Sequence, residues 1–155
     1  MHNRPLSQSH TAAFEVVNRQ RQVIVDCARW RQFAADALKL LRAEDAGVTI
    51  AIISDRAMRR LNRIWRGKVG TTDVLSFPAQ QEDWEQLEGR SLGEVAISVE
   101  CAKAQSKVHG SSIEHEIAQL LLHGLIHLCG YDHETDSGEM NRLELRLRSK
   151  LRLDG

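Results

Sequence analysis

The stretch at residues 120–133, LLLHGLIHLCGYDH, constrains this chain more than any other. Ile117, Leu120, Leu121, Leu125 and Leu128 make the segment apolar enough to be the central helix of a small protein. His123 and His127 lie four residues apart within it, which puts both imidazoles on one face, about 6 Å apart along the axis. Gly130 is expected to end the helix in a left-handed conformation and to turn the chain so that His133 comes round. Three neutral imidazole nitrogens on one divalent ion leave a fourth tetrahedral position for water, the arrangement of a catalytic zinc site. The expectation is one Zn2+ held by His123, His127 and His133. A lone histidine on an apolar helix is usually a satisfied core residue; three at this spacing, with a glycine between the second and third, are harder to place that way.

The spacing His-x3-His-x2-Gly-x2-His is that of the metzincin peptidases, with one difference. Those enzymes put a Glu directly after the first His as general base. Here the position is Gly124, which cannot carry a proton. Cys129, between His127 and Gly130, is read as a small apolar packing residue.

With 155 residues the chain is long enough to bury a core, and one domain spanning 1–155 is expected, with 1–10 as a flexible tail. Lys plus Arg and Asp plus Glu both number 21, so only the distribution of charge can point to a partner. Three cysteines with no CxxC pair fit a reducing cytoplasm. No apolar run is long enough for a membrane span.

Strands are expected at residues 14–17, 48–53, 72–77 and 92–98, with a weaker extended piece at 23–25. Helices are expected at 27–42 behind the cap Asp26, and at 54–65 behind Ser54 or Asp55. Three more are expected at 98–108, at 111–129 behind a Ser111/Glu114 capping box, and from Thr135 or Asp136 to about residue 151. Residues 79–91 read as an acidic surface connection. The fold class is α+β: a small mixed sheet of about four strands packed with about five helices, the central one carrying the histidines. The second helix has an apolar face of Met58, Leu61 and Trp65. Arg56, Arg59, Arg60 and Arg63 lie opposite, followed by Arg66 and Lys68. That face is either a solvated helix surface or a surface for phosphates, which the planar guanidinium fork suits.

Three segments, LNRIWRGKVGTTDVLSFP (61–78), SLGEVAIS (91–98) and HGLIHLCGYDHE (123–134), resemble the YbeY family of metal-dependent bacterial endoribonucleases. They follow the family's order, and the resemblance covers residues 48–147. It implies zinc on His123, His127 and His133, and Arg66 as the family's functional arginine. It implies cytoplasmic work on the 3′ end of precursor 16S rRNA and in ribosome quality control, with the small ribosomal subunit and assembly factors as partners. The chain departs from the family's usual Tyr at Trp65, its usual Asp at Val69, and a frequent His at Gln119.

The expected function is single-strand-specific, zinc-dependent endoribonuclease activity. A non-catalytic zinc-binding assembly factor and a metallopeptidase-like hydrolase are the alternatives. Arg66 is expected to hold the scissile phosphate. Asp132 is expected either to act as general base or to orient a ligand histidine; Glu94 and the metal-activated water are the other candidate bases. Single-stranded RNA is expected to lie along a cleft with the 55–65 helix as one wall. With one tyrosine in the chain and few aromatics read as exposed, base stacking is expected to contribute little.

Overall fold

Residues 48–53 form the middle of the molecule, as a run that is apolar but for Thr49 demands. The computed structural model describes residues 14–79, 90–132 and 135–153. Their elements in chain order are β1 (Phe14–Asn18), α1 (Cys27–Leu40), β2 (Ala46–Ile53), α2 (Asp55–Arg66), β3 (Val74–Pro78), β4 (Arg90–Ser98), α3 (Val99–His109), α4 (Ile113–Leu128) and α5 (Glu139–Lys150). The strands make one sheet in the order β1-β2-β4-β3. β1, β2 and β4 run parallel, and β3 pairs antiparallel with β4 at the edge. The fold is α+β with a mixed sheet, as the sequence pattern predicts.

Strand alternation sorts the core into two layers. Val48, Ile50 and Ile52 of β2, with Val95 and Ile97 of β4, face one side, where α4 lies with α1 and the buried face of α5. Ala51, Ile53, Leu75 and Ala96 face the other, where Met58 and Leu61 of α2 pack. Leu121, Leu122, Leu125 and Ile126 of α4 are fully buried, each contributing roughly 1.5–3 kcal/mol of burial free energy. The histidine helix is therefore the central one.

Local chemistry explains where the elements start and stop. Asp26 caps α1 by accepting from Arg29 N, and Ser54 caps α2 by accepting from Ala57 N. α4 begins one residue later than the capping-box reading: Ser112 is the cap and accepts from His115 N. Ser111 instead donates its hydroxyl to the buried Glu116 (2.6 Å). The last helix starts later than expected, at Glu139 with Gly138 rather than Thr135 or Asp136 as its N-cap. Asp136, two residues upstream of that cap, accepts from Gly138 N (2.8 Å) and Met140 N (2.9 Å). Residues 23–25 do not form the extended piece expected of them. The Gln20 side chain takes the place of a strand partner, donating to Val23 O (2.8 Å) and accepting from Val23 N (3.0 Å). No helix among the described residues is long and apolar enough to cross a membrane. The expected tail at 1–10, most of the acidic connection (80–89) and His133 lie outside the described residues.

Candidate functional site

α4 is held against the sheet at Gly124. A Cβ on that residue would stand 2.7 Å from Val95 Cγ1 and 3.2 Å from Ser76 Oγ. Only a glycine lets the helix come this close. Ser76 of β3 fixes the contact by donating its hydroxyl to Gly124 O (3.2 Å). The position that carries the base in metallopeptidases thus points into the sheet. His123 and His127 flank it and are half-buried.

The two imidazoles meet edge to face, with Nε2 of His123 and Nε2 of His127 3.1 Å apart. Each ring is held from behind. His123 Nδ1 donates to Glu144 Oε1 of α5 (2.8 Å), and His127 Nδ1 donates to the carbonyl of Tyr131 (2.9 Å). Carboxylate and carbonyl oxygens only accept, so both Nδ1 atoms carry hydrogen. In the neutral rings both Nε2 lone pairs then face one point. A cation belongs there, either a proton shared between the rings or a metal ion. Two nitrogens each bound at about 2.0–2.1 Å to a tetrahedral zinc ion would stand about 3.3 Å apart. The donor set and the backing of each Nδ1 fit a metal of that class. The Glu144 hydrogen bond raises the proton affinity of His123 above the ordinary value; burial opposes it, and the charges of Glu144 and Asp73 add to it.

Among the described residues no group of three His, Cys, Asp or Glu side chains gathers to complete a metal site. His133, the expected third ligand, lies outside them. Asp132 is exposed, and its carbonyl closes the turn after α4 by accepting from Thr135 N (3.2 Å) and Asp136 N (3.1 Å). Gly130 has φ +99, as a chain reversal at that point requires. Cys129 packs against the core. Gln119 engages His115, one turn further from the pair.

Arg66 is the last residue of α2, exposed, and followed by Gly67 in the left-handed conformation. α2 lies on the sheet face opposite α4, so the structure brings the two histidines together and sets Arg66 on another element. The edge strand joins them: Trp65 packs edge-on against Phe77, while the adjacent Ser76 reaches Gly124 on the other face. Asn62, buried in α2, donates to Gly70 O (3.2 Å) and ties down the loop after Arg66. Glu94 does not suit the base role. Its neighbour Val95 faces Gly124, so alternation turns Glu94 away from the histidine helix.

Two residues of the site escaped the sequence reading. Glu144 was hidden in a helix read only for its apolar and basic positions. Asp73, whose charge reaches His123, lies just before β3 inside the 61–78 segment. Glu144→Gln leaves His123 without its carboxylate partner. Its metal affinity is expected to fall about 10–100-fold, measured by competition with a chromophoric chelator, with the fold unchanged.

Comparison with known proteins adds the family. A family model described as endoribonuclease YbeY matches residues 15–152. An endoribonuclease YbeY from Solibacter usitatus is 47% identical over 111 residues, covering 72% of this chain and 70% of the relative. One from Clostridioides difficile is 32% identical over 143 residues, covering 90% and 88%. The chain spans only 38% of the Myxococcus xanthus relative, to which it is 46% identical over 112 residues. The solution structure of TM1509 from Thermotoga maritima shares the fold, with a TM-score of 0.59 and 22% identity, covering 89% of this chain and 88% of that one.

Proposed function

The chain belongs to the endoribonuclease YbeY family, and from that premise we propose that it is an RNA-cleaving hydrolase: a metal-dependent endoribonuclease acting on single strands. The observation that carries the metal is the pair of Nε2 atoms facing each other at 3.1 Å, with both Nδ1 atoms already engaged. His123, His127 and His133 would hold one Zn2+. When bound, the ion lowers the pKa of the attacking water and offsets charge on the phosphoryl oxygens.

The chain's own residues do the rest. Glu144 and the Tyr131 carbonyl fix the orientation and tautomer of the two rings. Asp132, one residue before His133, is assigned the role of orienting a ligand histidine rather than that of base. Arg66, at the rim of the edge strand, clamps the scissile phosphate through its guanidinium fork. The exposed arginines of α2 guide the strand to it. As its biological substrate we propose precursor 16S rRNA at its 3′ end, in the cytoplasm, with the small ribosomal subunit and assembly factors as partners.

Cleavage of a labelled single-stranded RNA tests the arginine. Arg66→Glu is expected to slow it on the order of 100-fold, the usual loss when one electrostatic stabiliser is removed. Metal content should be unchanged. Wild-type cleavage by the variant would remove Arg66 from the site.

A further inference from the structure

Helical spacing put Trp65 with Met58 and Leu61 on the buried face of α2. The structure puts it in water, with 67% of its surface exposed. Asn62 takes the buried position instead, at 4%. The ring is nevertheless fixed: it stands edge-on to Phe77, with ring centres 5.9 Å apart and planes at 65°. Ile64 and Val69 beside it are 64% and 97% exposed.

A single exposed apolar side chain is ordinary. What surrounds Trp65 is not. Arg66 and Lys68 follow it in the chain and are exposed, and Arg60 and Arg63 are exposed on the opposite side of the same helix. The one acid of α2, Asp55, is occupied by Arg59 at its far end (3.1 Å). In a chain with no net charge, the end of α2 and the loop after it are locally basic and carry one exposed aromatic ring. Phosphates match the cations, and the ring offers a π-face of the kind on which unpaired bases stack.

Position gives the ring a task. Trp65 precedes Arg66, and its contact Phe77 is next to Ser76, which is bonded to Gly124 between the two histidines. We infer that Trp65 is a stacking platform for one base of the single-stranded RNA, seated beside Arg66 at the rim of the edge strand. This rests on the reading of the site as a ribonuclease and adds a source for its strand preference. A duplex keeps its bases stacked on each other, so only an unpaired base can leave the stack and lie on the ring. The edge contact with Phe77 holds the ring before RNA arrives, which reduces the ordering needed on binding.

The test uses binding and cleavage as separate readouts. A fluorescent, non-cleavable 2′-O-methyl single strand is titrated with wild type, Trp65→Ala and Trp65→Tyr, and the matching RNA is used for cleavage. Trp65→Ala is expected to raise Kd about tenfold and Trp65→Tyr to restore most of it. An abasic residue is then moved along the strand one position at a time. At one position it should cost the wild type the same factor and cost Trp65→Ala nothing more. Equal Kd for wild type and Trp65→Ala, or losses that simply add at every position, would overturn the platform. So would an alanine variant that binds RNA normally but loses the small ribosomal subunit, which would make this face a protein-docking surface. Wild-type protein that cleaves nothing while showing the coupled binding loss would refute the nuclease reading and leave the platform standing. Cleavage untouched by Trp65→Ala would do the reverse.

Discussion

His123→Ala is expected to lose the bound metal and, with it, RNA cleavage by on the order of a thousandfold, while remaining folded. The loss follows from the geometry of the pair. With one Nε2 gone, the His123–His127 contact is lost, and Glu144 has no ring to orient. The fold should persist because His123 contributes little to the apolar core. Its side chain is 31% exposed, and that of Glu144 is 21% exposed, so water can replace the lost hydrogen bond. Metal per chain, circular dichroism and cleavage measured on one preparation check all three statements. A variant that keeps its metal and cuts at the wild-type rate would contradict the site. A variant that unfolds would make the metal chiefly structural, which is what a non-catalytic assembly factor requires.

Gly124→Glu is expected to lower stability by about 4 kcal/mol or more and to confer no peptidase activity. The β-carbon alone would meet Val95 Cγ1 at 2.7 Å and Ser76 Oγ at 3.2 Å, and overpacking of that kind costs about 1–3 kcal/mol. The rest of the side chain brings a carboxylate into the face where α4 meets Val95, a residue with no exposed surface. Burying that charge without a cationic partner costs several kcal/mol more. At about 2–4 °C per kcal/mol for a chain of this length, thermal unfolding should begin roughly 10 °C lower or more. A Gly124→Glu protein as stable as wild type would show that the helix does not depend on this close approach. The missing peptidase base then has a structural cause: at this position the chain has sheet where a base would need open space.

The parts of the fold that depend on local pattern were legible in the sequence. The β-branched run of β2, the caps at Asp26 and Ser54, and the apolar continuity of α4 each specify their element within a few residues. The facing of His123 and His127 was legible because the α-helical period fixes it. What failed was whatever depended on a particular side-chain partner that no spacing rule points to. Residues 23–25 had strand composition, but the Gln20 amide took both backbone groups of Val23. Trp65 had the right period for burial, yet the end of α2 extends past the apolar layer, and Asn62 turned inward to hold the loop at Gly70. Glu144 is 21 residues from His123, and no spacing rule connects them. Glu94 looked like a candidate base until the register of β4 turned it away. The expectation that stacking contributes little rested on one tyrosine and few aromatics read as exposed; Trp65 is one ring that reading did not count as exposed.

In the proposed function, one metal ion on His123, His127 and His133 makes this chain an RNA-cleaving enzyme. The most direct test strips the protein with a chelator, returns Zn2+ in sub-stoichiometric steps, and follows bound metal and cleavage of single-stranded RNA together, with a duplex of the same sequence alongside. Cleavage of the single strand should rise with bound metal, saturate at one ion per chain, and leave the duplex largely intact. Cleavage by the stripped protein, or a full ion per chain with no cleavage of either substrate, would contradict the account.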